Sequence, residues 1–459
     1  MVFSSTVFLF LFLPLSLLIY YNPVFKGRAF RNGFLLLTSL LFYGWGEPLL
    51  VFLMIFSIFV TWLCGLHVGH GRGKGALAAG TVYHITVLFV FKYLTFTASQ
   101  LGLLLNWDFS FIRITLPIGI SFFTFQLMSY LFDIYYGNAK NQKNPFYVGL
   151  YVSLFPQLIA GPIVRYSEVE AEIANRRDNF DNVCIGMERF ILGLGKKVLI
   201  SNYVAQIADN CFDYLPQLSV ATAWLGAVAY ALQIYFDFSG YSDMAIGLGR
   251  MFGFHFSENF NYPYISCSIT EFWRRWHISL STWFRDNVYI PLGGNRVSKR
   301  RWAFNLFVVW LLTGIWHGAN WTFILWGLLY YVLLILEKQT GLNQKLGRLS
   351  HVYTLVVVIL LWVIFRASSI SAAGAYIGTM FGIGASGFAD GTFFDYLRNT
   401  WVVLLFALIG STPIMKRVEQ KLAQMNLGWV SSVWTVLVFV LSVIQTVSST
   451  YNPFIYFNF

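Results

Sequence analysis

Two histidines, His277 and His317, are the side chains in this sequence whose type and setting could do chemistry. His317 closes the apolar run 302–316, and His277 follows Arg274 and Arg275 in an aromatic, basic segment. An ionisable ring inside a membrane segment is costly, and it is by default a candidate functional group. An imidazole is also the side chain best suited to move protons near neutral pH. Both histidines are therefore predicted to take part in proton transfer.

The depth of His317 follows from the length of the helix that precedes it. The basic turn 296–301 marks where this helix begins, and about 16 residues at about 1.5 Å each rise only about 24 Å. That is short of the hydrocarbon core, which is about 30 Å thick, so the ring is predicted to lie inside the membrane. Thr313, Gly318 and Asn320 give it polar surroundings. The alternative is a structural histidine bonded to a neighbouring backbone carbonyl.

His277 is predicted to share a helix face with Arg274 and Ser281, three residues before it and four after it. A cation three residues away would lower the pKa of the imidazole and keep it neutral, able to accept a proton. Arg274 or Arg275 could bind the anionic part of a phosphate-bearing donor. A basic helix whose arginines contact lipid phosphates explains the same pattern, and the residues do not decide between the two.

The segment 235–247 places two carboxylates, Asp237 and Asp243, next to an apolar span. They could orient a histidine, carry protons or pair with Arg274 or Arg275. Pairing for structure is the favoured interpretation. The chain contains no Walker-type GK[ST], no GxSxG and no HExxH sequence.

The elements that must position these residues are membrane helices. Of the 459 residues, 57% are hydrophobic and only 11% are charged, whereas soluble domains average about 25% charged residues. The net charge of +11 falls in short loops between apolar runs, where it sets orientation and contacts membrane lipids. We therefore predict a polytopic membrane protein that does not bind nucleic acid. The four cysteines are scattered and indicate no metal site.

About eleven transmembrane helices are predicted. The apolar runs cover roughly 2–21, 32–46, 48–66, 76–104, 114–135, 146–163, 220–236, 302–316, 321–336, 352–365, 399–413 and 430–448. Run 2–21 is interpreted as a retained first helix, and run 146–163 either crosses or dips in and returns. Residues 180–208 are predicted to form an amphipathic helix lying on the cytoplasmic surface. Alternation of basic and non-basic loops places both termini outside.

Four long motifs resemble a known family. The stretches FWRRWHISLSTWFRD, GIWHGANWTFILWG, YFDFSGYSDMAIGLG and FPQLIAGPIVR are closely similar to the membrane-bound O-acyltransferase family, and most of all to its bacterial branch of alginate O-acetylation membrane proteins. The resemblance runs from the first residues to about 340, with a motif-bearing core at about 110–340, and it fades over 350–459. It implies one membrane domain of all-α fold, with helices around a central funnel.

The resemblance also implies roles for individual residues. His317 matches the near-invariant active-site histidine of the family, and His277 matches the second histidine of this branch. The supporting or substrate-channel residues are expected to be Arg274, Arg275, Asp237, Ser239, Tyr241, Asp243, Ser281, Trp316 and Asn320. His317, reachable from both aqueous sides through a thin waist, would then deprotonate the attacking hydroxyl.

The activity implied is transfer of an acetyl group across a bacterial cell membrane. Acetyl-CoA is the expected cytoplasmic donor, as a substrate and not as a bound cofactor. The expected acceptor is an extracytoplasmic polysaccharide, reached directly or through a partner acetyltransferase. Two rivals remain: a secondary transporter with a His/Asp proton relay, against which the lack of repeated halves argues, and a passive membrane scaffold for polysaccharide secretion.

Overall fold

The computed structural model describes residues 1–159, 161–214 and 217–455. Within these residues the secondary structure is helical, and the only β-type pairing is an isolated bridge between Gly69 and Arg72. The all-α prediction is confirmed. Ala160, inside the predicted run 146–163, lies outside the described residues. Helices suit this composition because each backbone N–H and C=O is satisfied inside its own segment, as an apolar environment requires.

The chain divides into two compact units. The first unit comprises Met1–Phe190 and Ser242–Ser257, and the second comprises Ile191–Tyr241 and the described residues from Glu258 onward. Whether the whole chain acts as one domain, as the resemblance implies, stays a prediction.

The described residues up to Gly195 form ten α-helices. They are α1 (Leu13–Tyr20), α2 (Arg28–Gly46), α3 (Leu50–His67), α4 (Lys74–Leu88), α5 (Leu94–Leu105), α6 (Ile120–Tyr136), α7 (Pro145–Ser153), α8 (Phe155–Leu158), α9 (Tyr166–Ala174) and α10 (Phe180–Gly195). Single π-helical turns at Phe8–Phe12 and Phe89–Tyr93 lead into α1 and α5. Aromatic rings build the core of the first unit: Phe12 contacts Phe42 and Phe155, with ring centroids 5.5 and 5.3 Å apart.

The rest of the chain forms twelve α-helices within the described residues. They are α11 (Asn202–Asp209), α12 (Val220–Met251), α13 (Ile269–Arg275), α14 (Ile278–Phe284), α15 (Lys299–His317), α16 (Trp321–Thr340), α17 (Leu342–Leu346), α18 (Ser350–Arg366), α19 (Ile370–Met380), α20 (Gly391–Gly410), α21 (Ile414–Gln424) and α22 (Gly428–Ser448). Further π-helical turns lie at Lys196–Ser201, Asn210–Tyr214 and Arg285–Tyr289, and 3₁₀ turns at Pro263–Ile265 and Gly347–Leu349. In the core of the second unit, Trp273 contacts Tyr330 and Trp276 contacts Trp362, with ring centroids 5.0 and 4.9 Å apart.

Several helices begin at the polar residues that favour helix N-termini. Ser268 accepts a hydrogen bond from the Glu271 amide at 3.0 Å and caps α13, and Asn320 accepts one from the Thr322 amide at 3.1 Å and caps α16. Such caps satisfy one of the amides left over at a helix start and typically contribute about 1 kcal/mol.

Six helical segments in the described residues are long and apolar enough to cross a bilayer. They are Leu50–His67, Lys74–Leu105, Trp321–Thr340, Leu342–Arg366, Gly391–Gly410 and Gly428–Ser448, with Phe8–Tyr20 as a shorter apolar helix. These segments match apolar runs of the sequence, so an integral membrane protein is confirmed. The count of about eleven crossings and the outward orientation of both termini stay predictions.

The segment 180–208 differs from the predicted surface helix. It is three successive pieces, α10, the π-helical turn and α11, and the Lys197 side chain is only 1% exposed. A β-carbon at Gly240 of α12 would lie 3.2 Å from the backbone nitrogen of Lys197, so the π-helical turn packs closely on α12. Lys197 therefore does not contribute to an exposed polar face. Whether the segment lies on the cytoplasmic surface stays a prediction.

The segment 146–163 is broken, as its proline and glycine content suggests. α7 ends at Ser153, Leu154 adopts a non-helical conformation with φ −50° and ψ 110°, and α8 covers only Phe155–Leu158. Whether this broken stretch re-enters the membrane from one side stays a prediction.

Candidate active site

The helix that carries His317 ends at that residue. α15 runs from Lys299 to His317, and Gly318 follows in an extended conformation, with φ −179° and ψ 164°. A β-carbon at Gly318 would stand 2.3 Å from the Phe323 ring, so any larger residue at this position would require that ring to move. The imidazole is therefore fixed at the buried end of α15, immediately before the start of α16.

α15 and α16 pack against each other through two glycines. A β-carbon at Gly314 would lie 2.6 Å from the Phe323 carbonyl oxygen, and one at Gly327 would lie 2.5 Å from the Trp310 carbonyl oxygen. Small residues let helix backbones approach closely where lipid replaces water. His317 follows Gly314 by less than one turn, so this crossing sets the position of its ring.

His277 lies in a strained backbone conformation, not inside a helix. α13 ends at Arg275, α14 begins at Ile278, and His277 between them has φ 44° and ψ 55°. Left-handed conformations of non-glycine residues cost on the order of 1–3 kcal/mol and tend to cluster at functional sites. The buried Asn259 holds the turn: its carbonyl accepts the Ile278 amide at 2.9 Å, and its side chain accepts the Ser279 amide at 3.1 Å.

This turn corrects the predicted geometry of His277. Arg274 belongs to the preceding helix and Ser281 to the following one, so the three do not share a helix face. The Ser281 amide instead donates to the His277 carbonyl at 3.1 Å. The pKa of His277 is lowered to about 3, and the cause is burial of the ring. The predicted cause was the charge of Arg274. The imidazole is neutral near pH 7, as the prediction required, but for a different reason.

Trp316 joins the two histidines. Its ring centroid lies 5.0 Å from that of His317 and 5.9 Å from that of His277, with near-perpendicular planes in both cases. We call His277, Trp316 and His317 the histidine site. All three side chains are buried.

Aromatic rings enclose the histidine site. His317 contacts Trp326 at 5.0 Å and Phe365 at 5.1 Å, edge to face, and His277 contacts Phe260 at 6.1 Å. Packed rings of this kind exclude bulk water and hold an imidazole in a single orientation. Thr313, one of the polar neighbours predicted from the sequence, bonds within its own helix: its hydroxyl donates to the Val309 carbonyl at 2.8 Å.

Asn320 serves the backbone at the turn after His317. Its side-chain oxygen caps α16, and its amide nitrogen donates to the Ser368 carbonyl at 3.1 Å. It thereby ties the turn to the segment after α18 and positions the histidine site through the backbone.

The two arginines next to His277 have different settings. Arg275 forms an ion pair with Glu271 at 2.9 Å and donates to the Asn261 carbonyl at 3.2 Å. Arg274 is exposed. The predicted pairing of either arginine with Asp237 or Asp243 is wrong.

Asp237 pairs with Lys197 instead. The Lys197 Nζ lies 2.6 Å from the Asp237 carboxylate, and both side chains are buried, at 1% and 0% exposure. The C-terminal segment completes the pair, because the Ile455 amide donates to Asp237 at 2.9 Å and Lys197 donates to the Pro453 carbonyl. The favoured interpretation of Asp237, pairing for structure, therefore holds with a partner 40 residues earlier in the chain.

The remaining predicted residues of segment 235–247 divide between the two units. Ser239 is buried in the second unit, where the Tyr241 ring packs against Phe454 in a tilted arrangement with centroids 4.1 Å apart. Asp243 belongs to the first unit and forms an ion pair with Arg189 at 2.6 Å.

Sequence reasoning missed the residues that complete these arrangements. Phe260, Trp326 and Phe365 contact the histidines from distant helices and loops, and apolar spacing alone does not tell such rings from ordinary core. Lys197 gave a signal that could have been used, because a cation interrupting an apolar face requires a partner.

Comparison with known proteins defines the class. Residues 141–376 match the membrane-bound O-acyltransferase family, and both histidines lie inside this region. The chain belongs to the membrane-bound O-acyltransferase family and is an O-acyltransferase.

Two of the relatives named here are similar over the full chain, and a third is similar over about half of it. A probable alginate O-acetylase AlgI of Pseudomonas putida is 40% identical over 100% of both chains. A peptidoglycan O-acetyltransferase of Helicobacter pylori is 32% identical over 100% of this chain and 98% of its own length. A teichoic acid D-alanyltransferase of Bacillus subtilis is 29% identical over 47% of this chain and 58% of its own.

Proposed function

We propose that this protein transfers acetyl groups from cytoplasmic acetyl-CoA to hydroxyl groups of an extracytoplasmic envelope polysaccharide in a bacterial cell membrane. The names of the full-length relatives support both the acetyl group and a cell-envelope acceptor. The acetyl group reaches the polysaccharide either directly or through a partner acetyltransferase outside the membrane that receives it first. Both termini lie on the outer side in this proposal.

One observation carries the proposal: two buried histidines, His277 and His317, both contact the Trp316 ring inside the family-matched region. In the transfer, the acceptor oxygen attacks the acetyl carbonyl, a C–O bond forms and the C–S bond of the thioester breaks. His317 accepts the hydroxyl proton, and the departing thiolate takes up a proton. A positioned general base of this kind is typically worth about 10²–10⁴ in rate.

His277 acts on the donor side in this proposal. Its neutral ring is held by a strained turn at the end of α13, whose last two residues are Arg274 and Arg275. The exposed Arg274 is suited to bind a phosphate of the donor, because a guanidinium fork matches phosphate oxygens. Arg275, already paired with Glu271, is the less available of the two.

The experiment uses cells of the source organism whose own copy of the gene is deleted. Restoring this chain should restore base-labile, ester-linked acetate on the envelope polysaccharide. Inverted membrane vesicles from the same cells, given radiolabelled acetyl-CoA, should place the label in polysaccharide ester. Label that accumulates in the vesicle lumen without ester would support a transporter. Restored secretion with no ester and no transport would support a scaffold, and either result overturns the proposal.

A further inference from the structure

Three guanidinium groups converge on one carboxylate in the first unit. Arg28 and Arg31 lie 2.8 and 2.5 Å from the same oxygen of Asp178, and Arg176 lies 3.6 Å from the other oxygen. The Asp178 side chain is only 2% exposed. One negative charge therefore faces three positive charges, which leaves an excess of two.

Arg176 is buried and incompletely bonded. Its Nε donates to the Tyr20 hydroxyl at 3.0 Å and to the Phe252 carbonyl at 2.9 Å, and its Nη1 donates to the Asn32 side chain at 2.6 Å. Its Nη2 has no acceptor among the described residues. The side chain is 0% exposed, and leaving a buried charged donor without an acceptor is unfavourable.

Among the residues that the structure describes, no carboxylate other than Asp178 forms an ion pair with these three arginines. Glu172 contacts the cluster through its backbone, because its carbonyl accepts from Arg176 at 3.4 Å. Its carboxylate is used elsewhere, because it accepts from the His255 ring at 2.7 Å and from the His255 amide at 3.0 Å. An anion from outside the chain is therefore the group that would balance the three arginines.

The cluster is open on the side of Arg28 and Arg31, whose side chains are 26% and 14% exposed. Arg28 is also the first residue of α2, and the positive end of a helix dipole favours an anion at that place. The basic loop before α2 is predicted to lie on the cytoplasmic side, where anionic lipid headgroups are found.

Exposed apolar side chains flank Arg28 in the sequence. Val24, Phe25 and Phe30 are 77%, 46% and 37% exposed, and the two phenylalanine rings stack with centroids 4.6 Å apart. A soluble phosphate compound has no apolar group to cover these side chains, whereas the glycerol and first acyl carbons of a phospholipid would cover them.

We propose that Arg28, Arg31 and Arg176 bind a phosphate group, and that its source is an anionic phospholipid of the cytoplasmic leaflet. Arginine forks bind phosphate oxygens in pairs, and Asp178 holds the forks in place when the lipid is absent. This site is separate from the histidine site and does not rest on the proposed acyl transfer.

The alternative is a purely structural contact, in which Asp178 only ties the segment after α9 to α2. The two accounts predict different effects of Asp178→Asn on lipid binding. If Asp178 competes with a bound phosphate, removing its charge should tighten lipid binding. If the contact is only structural, the same change should lower stability and leave lipid binding unchanged.

The probe is palmitoyl-oleoyl phosphatidylglycerol bound to the purified full chain in an uncharged detergent, measured by native mass spectrometry. Diacylglycerol with the same acyl chains tests the need for phosphate. We expect Arg28→Gln with Arg31→Gln to weaken phosphatidylglycerol binding at least tenfold and Asp178→Asn to tighten it about threefold or more. Lys26→Gln, which removes an exposed charge from the same loop, is the matched control and should change binding by less than twofold.

Inorganic pyrophosphate distinguishes the two sources of phosphate. The lipid source is supported if phosphatidylglycerol remains bound in millimolar pyrophosphate. If pyrophosphate binds with the same arginine dependence and phosphatidylglycerol does not, the ligand is a soluble phosphate compound and the lipid assignment is overturned. Equal binding by the double variant and by Lys26→Gln overturns the phosphate site as a whole. If the double variant does not fold, the sign of the Asp178→Asn effect decides between binding and structure.

Discussion

Replacing Gly314 by alanine should slow acyl transfer without touching any reacting group. The added β-carbon would lie 2.6 Å from the Phe323 carbonyl oxygen and 3.3 Å from the Ile324 α-carbon. Ordinary contact begins at 3.4 Å, so the backbones of α15 and α16 must separate locally by about 0.8 Å. Both contacts are with backbone atoms, which cannot rotate away as a side chain could.

The displacement is transmitted directly to His317, which lies less than one turn further along α15. A misplacement of about 1 Å at a catalytic group can cost about 10²-fold in rate. We therefore expect a loss of about 10- to 100-fold in the rate of acetyl transfer. Overpacking of this kind typically also lowers the free energy of unfolding by about 1–3 kcal/mol.

The assay is label transfer from acetyl-CoA in membranes that contain equal amounts of folded protein, at saturating donor. Gly374→Ala is the matched control, because Gly374 lies in helix α19 with no atom within 4 Å of the added carbon. This control should keep wild-type transfer. Wild-type transfer by Gly314→Ala, with unchanged stability, would refute the argument that the glycine crossing sets the position of His317.

Two further predictions concern buried charge. Asp237→Asn leaves Lys197 buried without a counter-charge and should cost about 3–5 kcal/mol of stability, whereas the double variant Lys197→Met with Asp237→Leu should recover most of that loss. A double-mutant cycle of unfolding in detergent measures the coupling between the two residues. Additive losses of stability would contradict the prediction. Burial lowers the pKa of His277 from an ordinary value of about 6.5 to about 3, so the unfolded chain binds a proton between these values that the folded chain does not. Stability should therefore fall as the pH drops from about 6.5 towards 3. The difference in unfolding free energy between wild type and His277→Gln should change over the same pH range. A difference that stays constant with pH would contradict this prediction.

Much of the fold was predictable from the sequence because bilayer thickness fixes helix length. The apolar runs ending near residues 66, 104, 336 and 448 became helices of membrane-spanning length. His317 at the end of its helix was equally predictable, because Gly318 and the Asn320 cap are local signals.

The setting of His277 was not predictable by periodicity. The segment FWRRWHISLSTWF has helical spacing throughout, and the left-handed turn that divides it depends on Asn259, which lies outside the segment. Two hydrogen bonds fix the start of α13: Ser268 caps the helix, and the Glu337 carboxylate accepts the Ile269 amide at 2.8 Å. Tertiary hydrogen bonds of this kind override local pattern.

The ion pairs could not be assigned for a related reason. A carboxylate in an apolar segment requires a partner, but the sequence does not say which cation is near. Arg274 and Arg275 are closest in sequence to a motif histidine, whereas Lys197 and Arg189 are the actual partners of Asp237 and Asp243. The contacts of Asp237 with the C-terminal segment had no sequence signal at all.

The role of His317 as the base in acyl transfer is tested most directly by His317→Ala. Its rate of label transfer from acetyl-CoA to polysaccharide should be compared with that of His351→Ala, which removes a histidine whose ring contacts the Ser266 carbonyl at 3.1 Å. We predict a loss of about 10²–10⁴-fold for His317→Ala at equal membrane insertion and near wild-type transfer for His351→Ala. Wild-type transfer by His317→Ala would contradict the account.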